Sequence, residues 1–335
     1  QKYSAGAQTL QNMVVFPQGG VTRRPGTYYA GSSKSGGKVR LIPFEFSDEQ
    51  AYVLEFGANY IRFFQDGAPL ESGGSPVEVA TTYSVTDIFE INFVQSADVV
   101  FLAHKDHKPA KLTRTTATSF TLTDIDFVDG PYLDENITST TLYASSDTGS
   151  VTITASADLF TSADVGRLLR FREVLEVTYD EWAAATSYNA NDFVRYNGHV
   201  YKQVTGSTQT SGNTPPVHTS GTETYGDIDW EYRHDDTGYV EITAFTSATV
   251  VTATVKEDDG GISVLPHNIV GASNATTKWS LGAFGGDQGQ PRAVAFYEER
   301  LYFAGTIGKP QSIFGSVTAD FENHTPGTED DDAVN

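Results

Sequence analysis

Trp182, Tyr188, Tyr201, Trp230 and Tyr232 lie close together in the chain and could do one kind of chemistry, stacking on sugars. Apolar ring faces pack against the C–H faces of a pyranose while the polar ring edges stay wet. A module this small also needs large rings for its core, so packing is the competing use of the same residues. His104-Lys105-Asp106-His107 has the composition of a metal or acid–base cluster. Its position at a hairpin tip, with Pro109 close behind, favours a turn, because a metal site needs three or more converging ligands. Glu257-Asp258-Asp259-Gly260-Gly261 and Glu329–Asp332 are oxygen-rich, but neither follows the alternating ligand pattern of a calcium loop with a distal Glu. The first reads as a hairpin turn and the second as a solvated run. Gly19-Gly20 and Gly285-Gly286 neither follow a buried parallel strand nor open a helix, so they are not phosphate loops. Gly-x-Ser-x-Gly, His-Glu-x-x-His and paired Cys motifs are missing, and no carboxylate pair is singled out for glycoside hydrolysis. The expectation is a protein with no enzymatic activity, no cofactor and no metal. Arg23, Arg24 and Arg40 stand out against an acidic background. Their planar forks suit carboxylates on a partner subunit, with a local salt bridge or backbone cap as the alternative.

Composition narrows the function classes. The chain has 335 residues, enough for two or three domains. It has no cysteine, which excludes a disulfide framework and thiolate metal sites. Its 22 Lys and Arg against 43 Asp and Glu give a net charge of −21. Such a surface repels phosphate backbones, although acidic or polar walls also let nucleic acid slide through a conduit without sticking. No apolar run reaches the roughly 18 residues of a membrane-spanning helix, and no basic segment with an apolar core opens the chain. The sequence begins at Gln1 and closes on the acidic Asp330–Asn335, which reads as a piece of a longer protein.

Short segments rich in Val, Ile, Thr, Tyr and Phe, separated by Gly, Asp, Asn, Ser and Pro, predict strands throughout. The best helical candidate is Ser162–Leu169, a short turn. Three hairpins share one plan: residues 51–64 turning at Gly57-Ala58-Asn59, residues 98–114 turning through Asp106–Pro109, and residues 300–317 turning through Gly308–Pro310. The first two recur at the spacing of a four-stranded blade. The predicted fold is therefore all-β: a partial β-propeller interrupted by an inserted β-barrel or sandwich that carries a small nested β module. The expected divisions are an N-terminal arm and docking segment at 1–37, a first propeller segment at 38–134, and an inserted domain at 135–178 and 237–280. The nested module takes 179–236, and the propeller resumes at 281–335. Strands of the inserted domain are expected at 142–155, 168–177 and 239–255. Within the module, Asn197-Gly198 between two apolar–polar alternations predicts a tight hairpin, and residues 203–229 predict an exposed, mobile loop.

Two resemblances attach to these segments. Residues 12–29, with the pattern PQGG-x-x-RRPGT-x-Y, resemble the opening of tail nozzle (tail tubular protein B-like) proteins of short-tailed phages. VRLIPFEF at 39–46, AYVLEFGANYIRFF at 51–64, HKPAKLTR at 107–114, QPRAVAFYEERLYFAG at 290–305 and DFENHTPGTEDDDA at 320–333 follow in the same order as in that family. ASADLFTSADVGRLLRF at 155–171 resembles a motif of phage tail proteins. Residues 179–236 resemble small chitin-binding-type carbohydrate-binding modules. The first resemblance implies a structural virion protein of the tail, assembled in the host cytoplasm. Its copies would form a homo-oligomeric sixfold ring around a channel for DNA, with a tail adaptor above and fibres or spikes outside. The second implies host surface glycans as a further partner, and a carbohydrate-binding adhesin as the alternative function. No short-period repeat of the β-helical depolymerase kind is present.

Overall fold

A computed structural model describes residues 6–47, 50–257, 261, 263–327 and 329–334. The chain divides into two compact units, Gln1–Ile88 with Thr116–Ser119, and Phe89–Thr115 with Phe120–Asn335. Among the described residues it is all-β, with one four-residue helical turn at Leu175–Thr178 and short 3-10 turns.

The first unit opens with a small hairpin, β1 (Met13–Val15) and β2 (Val21–Arg23), in which Met13 faces Arg23. Pro17–Gly19 makes its turn, with the Gly19 N–H bonded to the Phe16 carbonyl. A five-stranded sheet follows: β3 (Arg40–Glu45), β4 (Ala51–Gly57), β5 (Tyr60–Gln65) and β6 (Ala68–Pro69), then the minor hairpin β7 (Glu71–Ser72) with β8 (Ser75–Pro76), and β9 (Glu78–Ala80) back beside β5. Strand alternation places Ile42, Phe44, Tyr52, Leu54, Ile61 and Phe63 on one buried face. The β4–β5 turn falls at Ala58-Asn59, where Asn59 takes a positive φ of 64°.

In the second unit, β10 (Asn92–Ser96), β11 (Val99–His104), β12 (His107–Thr116) and β13 (Ser119–Asp124) form a four-stranded antiparallel meander. The β11–β12 turn is Lys105-Asp106, tighter than the Asp106–Pro109 turn the sequence suggests, because β12 pairs from His107 onward. β14 (Leu142–Ala144), β15 (Ser150–Ala155) and β16 (Leu168–Arg172) then begin a second sheet. The nested segment interrupts it with β17 (Ser187–Tyr188), β18 (Phe193–Tyr196), β19 (His199–Gln203), β20 (Gln209–Thr210), β21 (Thr222–Tyr225) and β22 (Ile228–Asp235). β23 (Thr237–Ser247), β24 (Val250–Val255) and β25 (Trp279–Leu281) complete the interrupted sheet, in the order β14-β15-β24-β23-β16-β25. Its two edges meet where the Leu142 and Thr276 amides and carbonyls exchange hydrogen bonds of 2.8 Å, so the sheet curls into a half-barrel. Leu142, Ile153, Leu169, Phe171, Val240, Ile242, Val251 and Trp279 share its buried face.

Strand β16 is shorter than the sequence suggests. Opposite Arg172 and Phe171, the neighbours β23 and β25 are only beginning, at Thr237 and Trp279. Beyond Arg172 the last tie is from the Glu173 N–H to the Asp236 carbonyl at 2.7 Å, and the chain then turns into the helical segment Leu175–Thr178. Ser162–Asp164 is a 3-10 turn closed by a Thr161/Asp164 capping box. Last come β26 (Ala293–Tyr297), β27 (Arg300–Ala304) and β28 (Ile313–Gly315), a three-stranded sheet. Buried Arg300 donates to the carbonyls of Ser316, Asp330 and Asp332, tying the acidic C-terminal run to β27. Of the other acidic run, Asp258–Gly260 lies outside the described residues, as does Thr328.

Candidate functional site

The nested segment is built on the hairpin β18–β19. Asn197 and Gly198 have φ of 51° and 83°, the pair of positive values that a two-residue type I′ turn needs. β22 pairs with β19 and β21 flanks β22, giving the order β18-β19-β22-β21. Along β22, Ile228, Trp230, Tyr232 and His234 point inward and alternate with half-exposed Asp229, Glu231, Arg233 and Asp235.

Ile228, Trp230 and Tyr232 meet Tyr188, Val194 and Tyr201 in one apolar cluster. Tyr188 and Trp230 contact edge to face at 5.2 Å, and Tyr201 and Tyr232 do so at 5.9 Å. The phenol groups reach polar partners at the edge of this core. Tyr188 Oη accepts from the Ala183 N–H at 2.8 Å, Tyr201 Oη donates to the His218 carbonyl at 2.9 Å, and Tyr232 Oη donates to Asp235 Oδ1 at 2.6 Å. Asp235 also holds His199 Nδ1, and that hydrogen bond raises the imidazole above its ordinary value. Burial pushes His234 down to about 4.

The candidate stacking rings therefore separate. Tyr201 and Trp230 are fully buried, and Tyr188 and Tyr232 are nearly so. Their faces are covered, so of the two uses the sequence offers, stacking and packing, these four serve packing, with Trp182 at the margin of the core. Trp182 is half-buried and crosses Tyr196 at 77° with centroids 6.1 Å apart, which makes no flat platform. Sequence reasoning passed over several half-exposed rings, among them Tyr196, and Tyr225 stacked on His218 at 5.6 Å and 18°. Tyr225 ends β21 just before its turn, a position where a ring reaches the module surface; no composition signal marks it. Residues 203–229 are not a plain loop. β20 pairs with β17, β21 pairs with β22, and Ser211 Oγ donates to the Ala183 carbonyl at 2.7 Å.

Elsewhere, His104–His107 forms the β11–β12 turn, with the Asp106 N–H donating to His104 Nδ1 at 3.1 Å. Among the described residues no group of three or more His, Cys, Asp or Glu is placed to hold a metal, and no helix is long and apolar enough to cross a membrane. The three candidate docking arginines differ. Half-buried Arg40 donates to the Ile88 carbonyl at 3.0 Å, a bond within its own chain. Arg24 Nε donates to Asn12 Oδ1 at 2.9 Å across the N-terminal hairpin. Arg23 is exposed and has no ion-pair partner among the described residues.

Residues 181–222 match carbohydrate-binding module family 5/12. The nested segment thus carries a carbohydrate-binding-type module, and the match stops short of β22, where Trp230 and Tyr232 lie. No curated protein matches the chain.

Proposed function

We propose that this chain is a structural subunit of the tail nozzle of a short-tailed phage, a ring through which DNA passes on ejection. The observation that carries this reading is the N-terminal arm. Every residue from Gly6 to Ala30 is exposed, including Leu10, Met13, Val14, Val15, Phe16, Val21, Tyr28 and Tyr29, on the stretch whose sequence resembles the nozzle family's opening. Apolar residues held out in this number belong to an interface. The ordered motif series, the all-β architecture and the absence of chemical motifs fit an assembly role better than catalysis. In this reading the five-, four- and three-stranded sheets belong to an incomplete propeller, the half-barrel is its insertion, and the module is an outward decoration. Copies form a sixfold ring below a tail adaptor, with fibres or spikes outside. The protein is a virion component assembled in the host cytoplasm, and it catalyses no reaction. Sedimentation of the purified chain tests this: a discrete high-order oligomer is expected, and a monomer at every concentration and in virion-like ionic conditions contradicts it.

The family match at residues 181–222 favours a second reading, binding of host surface glycans through the module. With four of its rings in the core, such binding falls to the half-exposed Trp182, Tyr196 and Tyr225. Titration with chitin oligosaccharides and host envelope glycan tests it. Affinity lost in Trp182→Ala or Tyr225→Ala supports the reading, and no binding by the intact chain ends it.

A further inference from the structure

The arm and its surroundings contain both halves of a contact. The hairpin β1–β2 has strands of three residues each, all exposed on both faces. An isolated two-stranded hairpin is at best marginally stable in water, so this one needs a surface to lie on. Its charge says what kind. Residues 1–33, the arm as far as the groove, hold Lys2, Arg23 and Arg24 and no Asp or Glu, leaving 19 basic against 43 acidic side chains in the rest of the chain.

A matching groove of about 400 Å³ lies on the outer face of the β3–β4–β5 sheet. Antiparallel sheets commonly give one face to the core and a polar face to water. Here Ile42, Phe44 and Leu54 take the core side, yet the opposite face is also apolar, walled by Val39, Leu41, Val53 and Phe64. Leu41 is 61 % exposed and Val53 41 %. The charged groups lining the groove are Glu55 and Asp66, with no Lys or Arg among them. Glu55 accepts from Tyr60 Oη at 2.7 Å, which fixes a carboxylate beneath the apolar wall.

We infer that the groove walled by Leu41, Val53 and Phe64 receives the Met13–Arg23 hairpin of a second copy of this chain. The apolar side chains of the hairpin fill the groove, and Arg23 and Arg24 face the carboxylates of Glu55 and Asp66 in its lining. The other copy is the fitting occupant because apolar arm, apolar groove and opposite charges all sit on one sequence. An arm on one side and its receptor on the other make a head-to-tail contact, which generates a ring if the rotation closes and a filament if it does not. Docking of this kind presupposes the assembly proposed above.

The chain has no cysteine, so single introduced thiols report without background. Val15→Cys and Leu41→Cys change exposed positions and leave the cores intact. The two single variants, carrying different tags, are mixed and treated with a short bismaleimide. Cross-linked pairs containing both tags are expected, and Val15→Cys alone should give few. Charge reversal with Arg23→Glu and Arg24→Glu should weaken association at least about tenfold, and raised salt should weaken the unaltered chain in the same direction. Oligomers without the mixed cross-link overturn arm docking while leaving the assembly standing. A cross-link formed in a dilute double variant but not in the mixture means that the arm folds back on its own chain, which also overturns it. The absence of any oligomer overturns both.

Discussion

In the nested module the rings of Tyr188 and Trp230 meet edge to face, with centroids 5.2 Å apart and planes inclined by 76°. Trp230 is completely buried, so Trp230→Ala leaves a large cavity under β22. Truncations of this kind cost about 3–5 kcal/mol. The module is expected to unfold while the half-barrel persists. Limited proteolysis should then cut within residues 179–236 and spare the flanking strands. Unchanged protease resistance would contradict the core assignment.

Trp182→Ala should behave differently. The ring is half-buried at the module margin and crosses Tyr196 without a stacked contact. The expected cost is about 1–2 kcal/mol, within the ordinary range for single substitutions. Denaturant unfolding of the two Trp variants, measured side by side, checks the contrast. Equal losses would mean that Trp182 belongs to the core.

Acid should weaken the fold through two buried imidazoles. Burial holds His234 at about 4 and His324 at about 3, against an ordinary 6.5. Between these values and 6.5 the unfolded chain binds more protons, so stability rises with pH across that window and is lost as pH falls through it. Each pH unit corresponds to about 1.4 kcal/mol per imidazole. His199 has the opposite sign: its bond to Asp235 raises it, so its contribution is full below 6.5 and fades as pH rises through the folded-state value. Urea midpoints at pH 7 and pH 4.5 should differ, and His324→Phe should reduce the difference. A midpoint independent of pH in the unaltered chain would be inconsistent with two buried neutral imidazoles.

Arg167 and Asp164 form a buried ion pair at 2.7 Å that anchors β16. Arg167 Nε also donates to the Gly282 carbonyl at 2.8 Å, and Asp164 Oδ2 accepts from the Thr161 N–H at 2.7 Å. Removing Asp164 leaves the buried Arg167 guanidinium with only the exposed Asp287 carboxylate, 3.2 Å away, at a cost of about 3–5 kcal/mol. Asp164→Leu should therefore lower the melting temperature steeply, and adding Arg167→Met should recover some of the loss. A double variant worse than the single one would refute this account of the pair.

Local patterns were readable where one feature decided the outcome. Asn197-Gly198 specified its hairpin because a type I′ turn needs two successive positive φ values, which Asn and Gly adopt at little cost. The spacing of Ile228, Trp230 and Tyr232 at every second position places both rings on the face of an apolar Ile, which decides for packing between the two uses open to them. The end of β16 was not legible, because it is set by where β23 and β25 begin in the folded sheet. The Lys105-Asp106 turn was displaced from Pro109 for a similar reason, the pairing of His104 with His107 across the strands. The apolar outer face of the β3–β4–β5 sheet needed strand register to be seen, since Leu41 and Ile42 are neighbours in sequence and lie on opposite sides.

The assembly itself is tested most directly by averaged electron micrographs of the native particle or the purified protein, viewed down the assembly axis. The account predicts a closed ring with a central channel, mounted on a tail and showing the nested module at its periphery. A monodisperse monomer with no ring under virion-like conditions would contradict it.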